Sequence, residues 1–171
     1  MNPSTDTQAL FAHAMSSFLS EEYEKSIETL TEVIDLEPHH RLALSARGSA
    51  HMKLNDLSAA VADFDRLVTA APTYAKGYHL RGLAREKQGD DSGALADFDT
   101  AVSLDPDYGA AYYSRATLLT KLGDADKASE DIEMVTHLTN RNIETFANES
   151  NVWRSQHMKL ETTVMESDLE R

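Results

Sequence analysis

The chain has 171 residues, no cysteine and a net charge of −13 at neutral pH. Disulfide scaffolds, thiolate metal sites and cysteine nucleophiles are excluded. Nucleic acid is disfavoured, because its binding is driven by neutralising phosphates with Lys and Arg. Hydrophobic residues make up 41% of the chain, ordinary for a folded domain. No apolar run reaches the roughly 18 residues that a membrane span needs, so no membrane insertion is expected. The opening MNPSTDTQALFAH lacks the basic-then-apolar order of a secretory signal, and a cytoplasmic location is expected.

Residues 1–6 read as a polar lead in which Ser4, Thr5 or Asp6 can cap the first helix. Helix 1A is predicted over Thr7–Leu19, with a turn at Glu21-Glu22. Helix 1B follows to Leu36, carrying Tyr23, Ile27, Leu30, Val33 and Ile34 at helical spacing. Pro38 stops it, since proline cannot continue the hydrogen-bond ladder. The same plan predicts helices over His40–Leu54, Leu57–Ala70, Tyr74–Gln88, Asp91–Leu104 and Tyr108–Leu122, then one to Leu138. The turns inside each pair read Asn55-Asp56, Gly89-Asp90 and Gly123-Asp124, with residues that tolerate the left-handed conformation at a helix end. Beyond Arg141, Ile143, Phe146, Trp153, Leu160 and Val164 form an apolar stripe. The segment 143–171 is expected to cap the stack with a helix to Val164 and to fray over its last residues; alternatively its stripe meets a partner or a second copy.

Shifted by about 34 residues the sequence matches itself. Pro38, Pro72 and Pro106 superpose, as do Gly48, Gly82 and Ala116. Ser26, Ala60, Ala94 and Ala128 form a third series, and Leu30, Phe64, Phe98 and Ile132 a fourth. Arg47, Arg81 and Arg115 recur too, each with an Asp sixteen positions on at Asp63, Asp97 and Asp131. Such pairs predict a contact between the two helices of a unit.

The period, with Tyr78, Gly82, Ala94, Phe98 and Pro106 at their offsets in the clearest unit, resembles the tetratricopeptide repeat family. Four units fit, at 7–40, 41–74, 75–108 and 109–142. The first is loose at His13 and Ser17, and the last has Asn140 where proline is expected. The resemblance implies an all-α fold, a right-handed α-solenoid of four helical hairpins ending in a capping helix. It also implies that the first helix of each hairpin, here called A, lines a concave groove. Carried over, the groove positions are Phe11, Met15 and Phe18 in unit 1, and Leu42, Ser45, Ser49, Met52 and Lys53 in unit 2. Unit 3 gives Lys76, His79, Leu80, Leu83 and Lys87, and unit 4 gives Tyr113, Thr117 and Lys121.

The A windows carry a net +8 and the second-helix (B) windows −17. A groove's field follows its local charge, so the expected partner is a protein or extended peptide, or a partner helix, that is apolar at one end and acidic at the other. The branch of the family that clamps chaperone C-termini keeps only its third-unit lysine, at Lys76. Its other positions are Phe11, Met15, Ala46 and Leu80, so no conventional chaperone-tail binding is expected. No HExxH, GxSxG or phosphate loop occurs, and the seven histidines are scattered. No catalysis, metal or cofactor is expected. The alternatives to an adaptor are a self-associating module, through unit 1 or the C-terminal helix, and a secretion-type chaperone.

Overall fold

The structure, a computed structural model, describes residues 3–145, with side chains from Thr7 onward. Among the described residues, seven helices precede an eighth: α1 Pro3–Leu19, α2 Tyr23–Leu36, α3 Arg41–Lys53, α4 Leu57–Ala70, α5 Ala75–Gln88, α6 Asp91–Leu104 and α7 Gly109–Leu122. The eighth, α8, occupies 125–145 of the described residues. Among the described residues there are helices and turns but no strands. The chain is an all-α helical repeat solenoid.

Two boundaries differ from the sequence reading by more than one residue. Helix α1 begins at Pro3 rather than Thr7, so Ser4, Thr5 and Asp6 lie in its first turn and none is the cap. Proline suits that first position, where its missing N–H would have no partner. Helix α8 does not stop at Leu138 but runs unbroken through Asn140 to 145. Proline follows α2, α4 and α6 by two residues; at the fourth equivalent place Asn140 leaves the ladder intact. The expected cap lies, beyond 145, outside the described residues.

The two turns of each unit differ in kind. Inside a hairpin the chain reverses through one left-handed residue, at Glu21 (φ 63°), Asn55 (62°), Gly89 (87°) and Gly123 (87°). Next comes the N-cap. The Asp56, Asp90 and Asp124 carboxylates accept from the backbone N–H three residues on, at 3.2, 2.9 and 3.4 Å. Glu22, at the first such place, makes no side-chain cap. Turn chemistry is therefore poorest in unit 1, which pairs a strained Glu with an uncapped helix, at roughly 1 kcal/mol for each defect.

Packing within a hairpin rests on a size match. A Cβ placed on Gly48 would lie 2.6 Å from Phe64, and one on Gly82 would lie 2.5 Å from Phe98. Both rings are fully buried. Where the equivalent large residue is Leu30 or Ile132 rather than Phe, the residue sixteen positions before it is Ala14 or Ala116. Leu30, Phe64 and Leu67 join Val33, Ile34, Leu44 and Ala84 in a core that crosses hairpins. Ser26, the polar member of its otherwise Ala series, is fully buried and donates to the Ala14 carbonyl at 2.9 Å.

The arginine pairs form as expected and reach further. Arg47, Arg81 and Arg115 each bind the carboxylate sixteen residues on through two nitrogens, with shortest contacts of 2.6 Å to Asp63, Asp97 and Asp131. Each also donates backwards to the preceding B helix: to Thr31 at 3.0 Å, Asp65 at 2.8 Å and Asp99 at 2.7 Å. One guanidinium thus ties three helices.

The size match sets a stability test. Gly82→Ala gains about 1 kcal/mol of helix propensity, yet drives its methyl into the fully buried Phe98 ring. Overpacking of this kind costs about 1–3 kcal/mol. Urea denaturation is expected to show a net loss for Gly82→Ala. Gly82→Ala with Phe98→Ile, the pairing found at Ala116 and Ile132, is expected to lose less than the sum of the two single changes. Additive losses would show that the ring and the glycine do not determine each other.

Candidate functional site

The concave surface follows from helix-to-helix contacts. Successive A helices touch, α1 with α3, α3 with α5 and α5 with α7, whereas α2, α4 and α6 do not touch one another. The A layer is therefore the compressed, inner side of the stack.

A cleft of about 230 Å³ opens on it between α1, α3 and α5, lined by Phe11, Met15, Phe18, Leu42, Ser45, Ala46, Ser49 and Lys76. Seven of these are sequence-predicted positions; Ala46, read only as a lost clamp residue, completes the floor. Phe11 also lies 5.2 Å from the ring of His40, the residue that caps α3. Leu42 is 50% exposed at the rim. An apolar floor with an ammonium at its edge can hold an aliphatic or aromatic side chain and pair a neighbouring carboxylate.

A second cleft, of about 420 Å³, lies toward the C-terminal end and includes His79, Asp107, Ala110, Tyr113, Ser114 and Asn142. Its members 79, 110, 113 and 114 stand two repeats on from 11, 42, 45 and 46. The same groove thus reappears in polar form. Leu138 and Thr139 of α8 contribute to it; they fall outside the predicted groove because only the first helix of each hairpin supplies its positions. Arg141 closes one edge by pairing with Asp107 at 2.9 Å.

His79 was expected to contact a ligand; it is 7% exposed and fully hydrogen-bonded. Its Nδ1 bonds the Tyr108 hydroxyl and its Nε2 the Ser114 hydroxyl, both at 2.9 Å. Burial, aided by the Lys76 charge, pushes its pKa down to about 4. The ring is a neutral brace between α5 and α7.

The remaining predicted positions divide. Met52 and Leu80 are half-buried against the hydrophobic core, and Leu83 packs on Phe98 and Leu118. They are wall rather than surface. The hydroxyls of Ser49 and Thr117 donate to carbonyls four residues back on their own helices, so the hydroxyl-rich end offers fewer donors than the composition suggests. Tyr113 is 60% exposed. Lys53, Lys87 and Lys121 occupy the last turns of α3, α5 and α7 and are exposed. Lys121 binds Asp91 at 2.7 Å; Lys53 and Lys87 make no ion pair among the described residues. The +8 of the A windows is further reduced because Arg47, Arg81, Arg85 and Arg115 turn into the seam with the B helices. The double reach of those arginines was missed, although Thr31, Asp65 and Asp99 stand sixteen residues before them.

Among the described residues no cluster of three His, Asp or Glu side chains could hold a metal ion. No described helix is long and apolar enough to cross a membrane.

Two family profiles described as tetratricopeptide repeat match the chain, over residues 11–75 and 75–108. No curated protein matches by sequence. Among solved structures, MamA from Desulfovibrio magneticus RS-1 is similar at 22% identity and a TM-score of 0.73, over 79% of this chain and 76% of that one. The first repeat domain of Spaghetti (RPAP3), solved with an HSP90 peptide, is 23% identical with a TM-score of 0.67, over 70% and 95%. The Sgt2 domain from Aspergillus fumigatus gives 22% and 0.66, over 71% and 82%. At these identities the likeness is one of fold.

The buried histidine gives a pH test. Its folded pKa lies below the ordinary 6.5, so the unfolded chain binds the proton first. Stability is full above pH 6.5 and falls as pH drops toward 4, by up to about 3 kcal/mol. Urea melts from pH 7 to 4.5 are expected to show a shallower decline for His79→Gln than for the parent. An unchanged slope would mean that the ring titrates freely.

Proposed function

Since this chain belongs to the tetratricopeptide repeat family, we propose that it is a non-catalytic adaptor whose concave groove takes an extended peptide or a partner helix. The observation that carries this reading is the apolar cleft of Phe11, Met15, Phe18 and Leu42 with Lys76 at its edge. The occupant places an apolar side chain in that cleft. Its acidic stretch runs past Lys76 toward Lys53 and Lys87; all three lysines are exposed and make no ion pair among the described residues. A shallow cleft of this size holds one or two side chains, which suits weak, exchangeable binding.

The proposal separates this chain from relatives that bind chaperone tails, such as the RPAP3 domain solved with the peptide SRMEEVD. Phe11, Met15, Ala46 and Leu80 stand at four of the positions that such binding uses in the resembling branch, and Phe11, Met15 and Ala46 line the apolar cleft. A clamp needs donors there, and these side chains offer none.

A second reading, self-association, draws on apolar side chains exposed near the ends of the described stack. Leu19 is 79% exposed, Leu122 50%, Ile132 45% and Ile143 61%. Light scattering on the full chain distinguishes the two: a concentration-independent monomer removes self-association and leaves the groove reading intact.

The groove reading is tested by fluorescence anisotropy with two labelled twelve-residue peptides, one with a Phe-Leu pair followed by Asp and Glu, the other with Lys in their place. The acidic peptide is expected to bind, to weaken as salt rises and to be lost in Met15→Asp. The labelled SRMEEVD peptide is expected to bind no better than a scrambled one. Tighter binding of the basic peptide, or micromolar binding of SRMEEVD, would overturn the reading.

A further inference from the structure

Unit 4 contains a gap where unit 3 contains a side chain. In unit 3, Asp97 accepts from two arginines. Arg81 binds it through Nε and Nη2, and Arg85 donates through Nη1 to its Oδ2 at 2.9 Å. The Arg85 guanidinium also lies 3.8 Å from Asp65. Two carboxylates therefore face two guanidiniums.

One repeat on, Asp131, Arg115 and Asp99 reproduce Asp97, Arg81 and Asp65 with nearly the same distances. The counterpart of Arg85, however, is Leu119. Two carboxylates now face one guanidinium. In the vacated place lies a cavity of about 280 Å³ bounded by Asp99, Arg115, Asp131, Leu95 and Leu119. Asp131 is only 4% exposed. Glu130 and Lys127 complete the rim, and Lys127 is already paired with Asp124 at 2.7 Å. This cavity shares no residue with either concave cleft.

We propose that this cavity is a binding site for an arginine side chain presented by a protein partner. The incoming guanidinium takes the place of the absent one, donating to Asp131 Oδ2 and Asp99, with Glu130 at the entrance and Leu95 and Leu119 beside its flat faces. Arginine suits the site better than lysine. A planar fork can bridge two fixed carboxylates, and its weaker hydration lowers the cost of entering a half-apolar slot. The neighbouring Arg115 is no obstacle, because Arg81 and Arg85 already share the same pair of carboxylates in unit 3.

The test titrates acetylated, amidated Gly-Arg-Gly, its lysine counterpart and its citrulline counterpart into the nitrogen-15-labelled full chain at low salt. Saturable amide shifts at Leu95, Asp99, Leu119 and Asp131 are expected for the arginine peptide, with at least about tenfold weaker response to the other two. Leu119→Arg supplies the missing side chain from within. It should remain helical by circular dichroism and lose the response. Glu130→Gln, an exposed change, should weaken binding several-fold with the fold retained, and serves if Leu119→Arg does not fold. Equal shifts from arginine and lysine peptides, no shifts at these amides, or an undiminished response in a folded Leu119→Arg would overturn the proposal.

Discussion

The constraint on which the rest depends is the triple attachment of each repeated arginine. Arg47, Arg81 and Arg115 are pinned to their own B helix and to the one before it. Burial of Leu, Val and Phe side chains supplies the bulk of the driving force, but apolar contact is non-directional. A forked guanidinium bound through two nitrogens is directional. It fixes the rotation of A against B, and its third bond fixes one hairpin against the last. The buried carboxylates make the arrangement unforgiving, because removing one partner leaves an uncompensated charge in a poorly solvated seam. Tyr78 and Tyr112 lie near the guanidiniums of Arg81 and Arg115, each 5.5 Å from ring centre to guanidinium carbon, and help shield two of the three seams.

That attachment also redistributes charge. The two-sided pattern of the sequence, basic A helices against acidic B helices, reads as a field prepared for an acidic ligand. Much of it is internal cement. Four A-layer arginines meet B-layer aspartates in the seam, and Lys121 meets Asp91 at the surface. What faces the groove is a sparse set of lysines beside a cleft of Phe and Met. Hydrophobic anchoring therefore carries more of any recognition there than the net counts suggest.

The period made the fold legible, because each repeat position poses the same physical problem and allows few answers. Proline ends a B helix, Gly or Asn turns a hairpin, and Gly faces Phe. The same logic shows why α8 was misjudged. Asn140 signals that the stop is missing, and reading a boundary there imposed the repeat where its cause had gone. The site was legible only in part. Phe11, Met15, Phe18, Leu42 and Lys76 converge because helical spacing and repeat stacking place them on one surface. His79 could not be sorted from the sequence alone: its burial depends on Tyr108 and Ser114, twenty-nine and thirty-five residues away. Leu119 carries no signal by itself, and its meaning emerges only beside Arg85.

Unit 1 combines a left-handed glutamate at Glu21, an uncapped Glu22 and His13 in place of the stitching arginine. It also supplies Phe11, Met15 and Phe18 to the apolar cleft. In a linear stack whose members contact only their neighbours, the end with the poorest joints opens first. Among the described hairpins, the one that walls that cleft is thus the most weakly joined at its turn. A guest lodged against it would act as a splint, raising the threshold for N-terminal fraying while leaving the middle of the solenoid largely as it was.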